Sequence, residues 1–512
     1  MKFLLSIYFI FISTIGFSQE VVRTYFEGTE QVKEEYSILS QGNPIMHGEY
    51  RKFSAEGTTV VLAWYENGQL EGEYTEYFEN GQVKTEGAYK NGVQTGEFKY
   101  FDISGNLLHR EHFDHKHKNK FTKFYADGQL AAEGTLKEGN LDGTYKEYYP
   151  NGNTKAEYTY NDGVRDGAVL VYDQNGNLLQ KANYEEGELI GEITTYFPNG
   201  KEKVIANYID GNVEGAMKEF FKDGTLKSEA EYKNNKPNGI TRTFYKNGNI
   251  KTEEKYKKGV LHEYFKTYYE DGGIETESSI VEGKKTGRFR NYNREGTLVL
   301  EGHQVNGKLH GPNTGWYDDG TIKHKLNYEH GKKSGKNYTY FPNGKVKELQ
   351  DFGKEKRLTI KSYYESGNLK EVQHFEDGKK NGEWISYHEN KNIKEKAFYI
   401  KDKLHEEKEV YHEDGYLTET QSYSHGIKTG IWKKYYPDGT VKTETNYKNN
   451  TPYGNYKKFH SNGTLAIEGQ YINGKESGKW NHYSENGDLI KKEVYKNGEK
   501  ISEKTIEESA EN

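Results

Sequence analysis

The chain has 512 residues, of which 32% are hydrophobic and 29% are charged, and it contains no cysteine. The formal charge is -7, and acidic and basic residues are mixed along the whole length, which excludes the basic stripe of a nucleic-acid-binding protein. The lack of cysteine excludes a disulfide framework and a lipid-modified cysteine anchor.

The N-terminal segment has the order of a secretory signal peptide. Met1-Lys2 is followed by an apolar run from Phe3 to Phe17 and then by Ser18-Gln19-Glu20. A short basic start, an apolar run and small residues at its end are typical of such a peptide. The alternative is an uncleaved membrane anchor, for which the run is short, since a spanning helix needs about 20 residues. We predict a signal peptide over residues 1–18, and a mature chain that is periplasmic, displayed at the cell surface or secreted.

Residues 19–47 resemble a degenerate first repeat. Tyr25-Phe26-Glu27-Gly28 matches part of the pattern that follows, but its spacing is lost afterwards. Terminal repeats are commonly atypical because they cover an open end of an array. We therefore predict an N-terminal capping unit over residues 19–47.

A pattern of about 24 residues returns from residue 48 almost to the C-terminus, and the stretch from Gly72 to Gly96 shows it in full. We call Gly81 of this unit the first-turn glycine and Gly92 the second-turn glycine. Nineteen units share the register, and all of them have an aromatic residue four positions before the first turn's glycine position. Tyr or Phe stands eight positions after it in 16 units. Such a period predicts an array in which each unit is stabilised mainly by its neighbours.

Each half of a unit is a short run bounded by Asn-Gly or Asp-Gly, as at Asn80-Gly81, Asn91-Gly92, Asp223-Gly224 and Asp438-Gly439. These pairs readily supply the two positive-φ positions of a type I′ turn between antiparallel strands. The fold class we predict is all-β, an elongated, single-layer, curved β-meander of antiparallel hairpins with about 19 repeats. Stacked aromatic rings and cross-strand Lys–Glu pairs are expected to hold this thin sheet together.

Some units depart from the pattern. Most units have a glycine nine positions before the first-turn position, and we expect it at the start of the first strand. In four units another residue takes its place, namely Asn119, Glu263, Leu358 and Glu406. Two units are also one residue short. We expect the ladder of strands to bend or break at these units. The array is predicted to end at residue 498, and residues 499–512 are predicted to form a polar, acidic tail.

The motif Gly-x-aromatic-x-x-aromatic-aromatic-x-Asn/Asp-Gly is intact at Gly72–Gly81, Gly143–Gly152 and, closely, Gly430–Gly439. It resembles the variant MORN repeat of bacterial proteins similar to the YwqK-type antitoxin family, over about residues 48–498. The resemblance implies an open, curved, single-layer sheet of hairpins that contacts protein or lipid and does not catalyse a reaction. A signal peptide does not suit an antitoxin that acts in the cytoplasm, so the more coherent form is immunity in the periplasm or at the surface.

One hairpin concentrates groups that bind metals, namely His109, Glu111, His112 and Asp114, with His115 and His117 beyond them. A structural metal site needs three or four ligands in fixed geometry, and this unit has lost its second-turn glycine, so a solvated, degenerate hairpin is favoured. No nucleophile, nucleotide-binding or paired-carboxylate motif stands out from the repeat. We predict neither an enzyme nor a cofactor, metal or small-molecule substrate.

The functional hypothesis rests on the aromatic residues, because Tyr and Trp are favoured at interfaces. The alternative is that these residues only pack the sheet. Three of the five Trp residues recur in the last five units, which makes residues 384–480 the preferred contact region. We predict an exported, non-catalytic scaffold that binds another protein, antitoxin- or immunity-like in its most specific form. The alternative is a protein that binds glycans or the envelope surface through aromatic platforms. The predicted contact residues are Trp316, Trp384, Trp432, Trp480, Tyr435 and Tyr436.

Overall fold

The computed structural model describes residues 19–39, 43–114 and 118–506. Within these ranges every regular element is a β-strand. Across the same residues, no helix is long and apolar enough to cross a membrane. The predicted signal peptide, His115 and His117 lie outside the described residues.

The chain divides into two compact units. The first extends to residue 249 and includes residues 256–259, and the second comprises residues 250–255 and the chain from residue 260 onward. The strands before residue 250 are β1 (Gln19–Tyr25), β2 (Val32–Leu39), β3 (Ile45–Phe53), β4 (Thr59–Glu66), β5 (Gln69–Tyr77), β6 (Val83–Lys90), β7 (Val93–Phe101), β8 (Leu107–Phe113), β9 (Lys118–Phe124), β10 (Leu130–Lys137), β11 (Asn140–Leu141), β12 (Gly143–Tyr148), β13 (Thr154–Asn161), β14 (Val164–Tyr172), β15 (Leu178–Glu185), β16 (Glu188–Tyr196), β17 (Glu202–Ile209), β18 (Asn212–Phe220), β19 (Leu226–Lys233) and β20 (Lys236–Phe244).

The remaining strands are β21 (Ile250–Lys257), β22 (Val260–Tyr268), β23 (Ile274–Val281), β24 (Lys284–Tyr292), β25 (Leu298–Val305), β26 (Lys308–Leu309), β27 (Gly311–Trp316), β28 (Ile322–Glu329), β29 (Lys332–Lys333), β30 (Gly335–Tyr340), β31 (Val346–Phe352), β32 (Arg357–Tyr363), β33 (Leu369–Glu376), β34 (Lys379–Lys380), β35 (Gly382–Tyr387), β36 (Ile393–Ile400), β37 (Lys403–Tyr411), β38 (Leu417–Ser424), β39 (Ile427–Lys428), β40 (Gly430–Tyr435), β41 (Val441–Lys448), β42 (Thr451–Phe459), β43 (Leu465–Ile472), β44 (Lys475–Tyr483), β45 (Leu489–Lys496) and β46 (Glu499–Thr505).

Each unit is a single-layer sheet in which a strand pairs antiparallel with its neighbours in sequence. In the first unit β5 pairs with β4 and β6, and in the second β44 pairs with β43 and β45. Among the described residues, extensive packing likewise joins only strands that follow each other in the chain, or that are separated by a single two-residue strand, as β10 and β12 are. The predicted all-β meander of hairpins is therefore confirmed. The capping segment 19–47 contributes β1, β2 and the start of β3. At the other end, residues 499–505 form β46, which pairs with β45.

The two turns of a repeat have different geometries. At the second turn both residues have positive φ, 52° at Asn91 and 77° at Gly92, as predicted for a type I′ turn. At the first turn only the glycine does, with 85° at Gly81, and its N–H donates to the Phe78 carbonyl at 2.9 Å. This is a type I turn followed by a bulge glycine, so the type I′ prediction is wrong at Asn80-Gly81, Asp223-Gly224 and Asp438-Gly439.

The glycine nine positions before the first turn lies within a strand. Gly72 is the fourth residue of β5, has φ of 78°, and coincides with a register shift against β4, which is a β-bulge. We call this residue the bulge glycine. Glu263 and Glu406 occupy the same position with φ of 68° and 64°. These two repeats therefore keep the bulge at a non-glycine residue.

The two repeats that are one residue short have lost the bulge itself. Strands β9 and β32 pair with the strands before them without any register shift. Their residues at the bulge position are Asn119 and Leu358, neither with positive φ. The ladder is thus continuous there, and the expected break is wrong, because the extra residue of a bulge can be removed without changing the pairing on either side.

The backbone at the bulge generates a first prediction. L-residues with left-handed φ cost about 1–2 kcal/mol, which glycine avoids. We expect Glu406→Gly to increase the free energy of local unfolding by about 1 kcal/mol. Gly478→Ala is the matched opposite change, because φ is 71° and no atom lies within 4 Å of the added methyl group. It should decrease this free energy by a similar amount. Native-state hydrogen exchange of the flanking strands measures both, and shifts in the same direction would contradict the assignment.

Candidate binding surface

One face of each sheet carries a row of rings that we call the aromatic column. Its members lie two positions after the bulge glycine and eight positions after the first-turn glycine. Successive ring centroids are 5.4 Å apart for Tyr74–Tyr89 and for Tyr89–Phe98, and 5.3 Å for Phe98–Phe113, all edge to face. In the second unit the column includes Phe375, Trp384, Tyr399, Tyr423, Trp432, Tyr447, Tyr456, Tyr471, Trp480 and Tyr495.

Small residues make room for the rings. Gly87 lies opposite Tyr74, and a Cβ atom there would come within 2.5 Å of the Phe98 ring. A Cβ atom at Gly469 would come within 2.2 Å of Trp480. Ala397, opposite Trp384, is only 3% exposed. These small residues lie six positions after the first-turn position. The repeat pattern described above did not include this position.

Trp384 and Trp432 occupy equivalent places in the column and remain half-buried. Their indole N–H groups donate to the carbonyls of His374 at 3.0 Å and Ser422 at 3.1 Å. The ammonium groups of Lys380 and Lys428 lie 4.0 and 4.3 Å from the ring centroids. Such cation–π contacts stabilise the site by about 0.5–2 kcal/mol. The two Trp side chains are thus fixed in orientation before any partner arrives.

The other Trp residues lie in different surroundings. Trp480 is only 4% exposed and packs against Tyr456 and Tyr471, with centroids at 5.4 and 5.3 Å. Trp316 ends β27 at the position four before the first-turn glycine and is half-buried. Trp64 is 48% exposed and lies opposite Glu49, on the other face. The burial of Trp480 gives it a structural role, while its predicted partner contact stays a prediction.

Tyr435 and Tyr436 form the aromatic doublet before the first turn. The Tyr436 hydroxyl donates to the carbonyl of Phe459, in the next repeat, at 3.0 Å. The Tyr435 hydroxyl lies 3.5 Å from that of Thr420. The second ring of the doublet therefore links neighbouring repeats through a hydroxyl. The same bond to the next repeat occurs in Tyr125, Tyr149, Tyr269, Tyr317 and Tyr364.

The asparagine of the first turn links repeats in a second way. In Asn80 the amide oxygen accepts from the backbone N–H of Gln82 at 3.1 Å, and the amide nitrogen donates to the carbonyl of Ile103 at 3.3 Å. One side chain thus closes its own turn and contacts the next. The Asn-Gly pattern by itself predicted only the backbone conformation of this residue. The same link to the next turn occurs in Asn151, Asn199, Asn343, Asn390 and Asn462.

The face opposite the column carries cross-strand ion pairs. Thr75, Glu86 and Lys99 lie directly opposite one another on successive strands. The Lys99 ammonium lies 2.8 Å from the Glu86 carboxylate, and Arg110 lies 3.3 Å from Glu97. The predicted Lys–Glu pairs are therefore present. Because their side chains are more than a third exposed, each pair contributes well under about 1 kcal/mol.

The histidine-rich hairpin brings few ligands together. His109 Nε2 lies 3.6 Å from a Glu111 carboxylate oxygen. Among the described residues no group of three or more His, Cys, Asp or Glu side chains is arranged to hold a metal ion. This statement does not extend to His115 and His117.

The aromatic column is interrupted in the second unit. Asn313, Asn337 and Ile360 stand two positions after the bulge position, where the flanking repeats place Phe289 and Trp384. Asn337 is 1% exposed; its amide oxygen accepts from the Asn327 N–H at 2.7 Å and its amide nitrogen donates to the Ser334 carbonyl at 3.0 Å. A small polar group with satisfied hydrogen bonds thus replaces a large ring. A cleft lined by Phe352, Leu358, Ile360 and Phe375 lies in the neighbouring repeats.

A family model described as MORN repeat variant matches this chain in twelve segments, which together cover slightly more than half of it. The chain belongs to the MORN repeat variant family. It is therefore a repeat scaffold. The model matches residues 70–91, 141–162, 165–186, 213–234, 237–258, 309–330, 333–352, 358–377, 380–401, 428–449, 452–473 and 476–497.

A search of curated proteins found no match. Among solved structures, a Photorhabdus luminescens Tc holotoxin pore with the TccC3 D651A mutation aligns at 12% identity and a TM-score of 0.14, covering 90% of this chain and 28% of that one. The TcdB2–TccC3 structure without its hypervariable C-terminal region aligns at 12% and 0.14, covering 90% and 31%. TcdB2–TccC3–Cdc42 aligns at 11% and 0.12, covering 92% and 35%. This MORN repeat chain spans about a third of those chains, and such TM-scores establish no shared fold.

The contrast between two Trp residues of the MORN repeats generates a second prediction. Trp480→Leu should lower the free energy of unfolding of the C-terminal repeats by about 3 kcal/mol, because it leaves a cavity among packed rings. Trp64→Leu, at an exposed position, should change stability by less than about 0.5 kcal/mol. Urea unfolding followed by circular dichroism, with hydrogen exchange to locate the effect, makes the comparison. Equal losses of unfolding free energy in the two variants would contradict the assignment of Trp480 to packing and of Trp64 to the surface.

The last MORN repeat contains a buried carboxylate that contacts two lysines and a histidine. The Glu493 side chain is 8% exposed, and it lies 2.7 Å from Lys491, 2.9 Å from His482 and 3.3 Å from Lys500. These hydrogen bonds, with that of Lys491 first, lower the pKa of Glu493 from its ordinary 4.5 to about 2. The ionised form is thus strongly favoured in the folded state.

This lowered pKa generates a third prediction. Because the folded pKa lies below the unfolded one, the carboxylate's contribution to stability is complete above about pH 4.5 and is lost as pH falls towards about 2. We expect hydrogen-exchange protection of β44–β46, corrected for intrinsic rates, to decrease over this range. Glu493→Gln should weaken protection at pH 7 and remove part of the pH dependence. Glu485→Gln, at an exposed turn residue, is the control; an unchanged acid profile in Glu493→Gln would contradict the assignment.

Proposed function

We propose that this MORN repeat chain is an exported, non-catalytic scaffold that binds another protein. The proposal rests on a single observation, which is that the aromatic column lies on a single-layer sheet. Among the described residues, extensive packing joins each strand only to the strands beside it in the sheet, so no second layer of those residues covers the rings. Trp384 and Trp432 remain half-buried in that column. Interfaces are enriched in such rigid aromatic groups.

The fixed orientation of these two Trp residues supports protein binding. Their N–H groups are engaged and Lys380 and Lys428 lie against their rings, so little side-chain entropy remains to be lost on association. The most specific form of this proposal is an immunity role, in which the chain binds and inactivates an exported toxin. It follows from the similarity to YwqK-type antitoxins together with the N-terminal residues that resemble a signal peptide.

Binding to glycans or to the envelope surface is the second candidate. Sugars stack on open aromatic faces, and Trp64 offers a ring that is 48% exposed. At Trp384 and Trp432 a lysine already lies over the ring at 4.0 and 4.3 Å. A sugar would have to displace these cations. This arrangement favours a protein partner at residues 384–432.

The test, and the fourth prediction, is affinity capture. Residues 19–512 are immobilised and exposed to envelope and secreted proteins of the source cell, and bound proteins are identified by mass spectrometry. We expect one stoichiometric protein. A double variant, Trp384→Leu with Trp432→Leu, should reduce its capture at least about tenfold, since central Trp residues commonly contribute 2 kcal/mol or more to binding.

Trp64→Leu is the matched control and should capture the partner as well as the unchanged chain does. Circular dichroism and thermal unfolding of each variant show whether the fold is intact. Equal capture by the double variant would remove residues 384–432 as the contact region. Capture of no protein, together with a Trp fluorescence change on addition of envelope polysaccharide that Trp64→Leu abolishes, would favour glycan binding.

A further inference from the structure

A cleft of about 1180 Å³ lies in the second unit at the second-turn ends of β28, β31, β32 and β33. Its position follows from the sequence. Ile360 lines the cleft at the position where Phe289 and Trp384 place rings in nearby repeats, and β32 lacks a bulge. Ile360 is smaller than those rings, and without the bulge Leu358 lies on the same face of the strand. The cleft is a local property of these repeats, since all of its lining residues lie between 329 and 378.

The floor of the cleft is apolar. Phe352 pairs directly with Leu358, and Leu358 pairs directly with Phe375 on the next strand. In a regular repeat a bulge glycine occupies the position that Leu358 takes here. Loss of the bulge thus brings three apolar side chains into one row across three strands. All three remain half-buried and line the cleft.

The rim of the cleft is cationic. Lys356 pairs with Asp377 at 2.9 Å, and Arg357 pairs with Glu355 at 3.0 Å. Three further exposed lysines line the cleft without an acidic side chain within 4.0 Å among the described residues, although one of them donates to Gln350 at 3.1 Å. These three are Lys332, Lys333 and Lys354. On a chain whose formal charge is -7, this rim is a local excess of positive charge.

We propose that the cleft binds an acidic peptide segment of the partner protein, in which Phe or Leu side chains alternate with carboxylates. This inference rests on the proposed protein-binding function and specifies its chemistry. The apolar row takes the hydrophobic side chains, and the three lysines pair with the carboxylates. The volume exceeds the roughly 300–1,000 Å³ typical of small-molecule sites, which suits a peptide of several residues.

The arrangement of charge and apolar surface argues for a peptide over a lipid headgroup. The apolar side chains lie in a row along the sheet, in register with neighbouring strands, and the cations border that row. An extended peptide projects alternate side chains in opposite directions, so one can face the floor while the next reaches the rim. A headgroup would engage the lysines and leave the row of Phe352, Leu358 and Phe375 uncovered.

The fifth prediction concerns a fluorescein-labelled peptide of nine residues in which Glu or Asp alternates with Phe or Leu. Fluorescence anisotropy with the full chain should show saturable binding that weakens as salt is added. Replacing Phe and Leu by Ser, or the acidic residues by Lys, should weaken binding at least about tenfold. The chain variant Lys332→Glu, Lys333→Glu, Lys354→Glu should lose affinity by a similar factor, because attraction becomes repulsion.

The matched control is Lys233→Glu, Lys236→Glu, Lys258→Glu, which reverses three exposed charges near second turns of other repeats. It should bind the peptide as the unchanged chain does. Leu358→Gln tests the floor without reversing charge and should also weaken binding. Equal affinity in the Lys332, Lys333 and Lys354 variant, or equal binding of the basic peptide, would overturn the proposal. It would also fail if anionic phosphatidylglycerol vesicles bound through these lysines while the peptide did not.

Affinity capture separates this inference from the function on which it rests. If the triple variant captures the same partner as the unchanged chain, the cleft is not the site and the scaffold function stands. If neither chain captures a protein but the peptide still binds through the cleft, the binding chemistry stands and the proposed function fails. Loss of both peptide and partner in the triple variant alone supports the two together.

Discussion

The structure depends on the packing of one ring against the next along a sheet that has no second layer. A sandwich or barrel buries side chains between layers, but here each ring finds its apolar neighbours on adjacent strands. This constraint explains why Gly87, Gly469 and Ala397 are small, since larger side chains would occupy the space of Phe98, Trp480 and Trp384. It also explains why Tyr is so common, because its hydroxyl can remain in contact with water or a backbone carbonyl.

Cohesion along the array comes from three parallel sets of contacts. The column joins rings, the first-turn asparagines join neighbouring turns, and the tyrosines before those turns donate to backbone carbonyls of the next repeat. Each contact is small and each is repeated, so neighbouring repeats support one another without a large core. Thirteen hydrophobic side chains are buried among the described residues, which is few for chains of this size, and the repeated contacts compensate.

The repeat, the strands and the second turns could be predicted because each depends on local residues with strong preferences. The first turn could not, because Asn80-Gly81 suits two turn types, and only the structure shows that the Gly81 N–H donates to the Phe78 carbonyl. The role of the doublet was likewise open, since only packing shows that Tyr436 bonds to Phe459. The cleft was not predicted, because its apolar row depends on the pairing of Phe352, Leu358 and Phe375 on three strands, which the repeat pattern does not give.

The bulge gives the array a tolerance for changes in length. Successive side chains of a strand point to opposite faces, so deleting one residue elsewhere in a strand would turn the following aromatic and charged residues to the wrong sides. Removal of the bulge residue avoids this, as β9 and β32 show by their regular pairing. A repeat can therefore change from 24 to 23 residues at this one position and keep its place among its neighbours. Local variation in shape, such as the row centred on Leu358, then arises without loss of the fold.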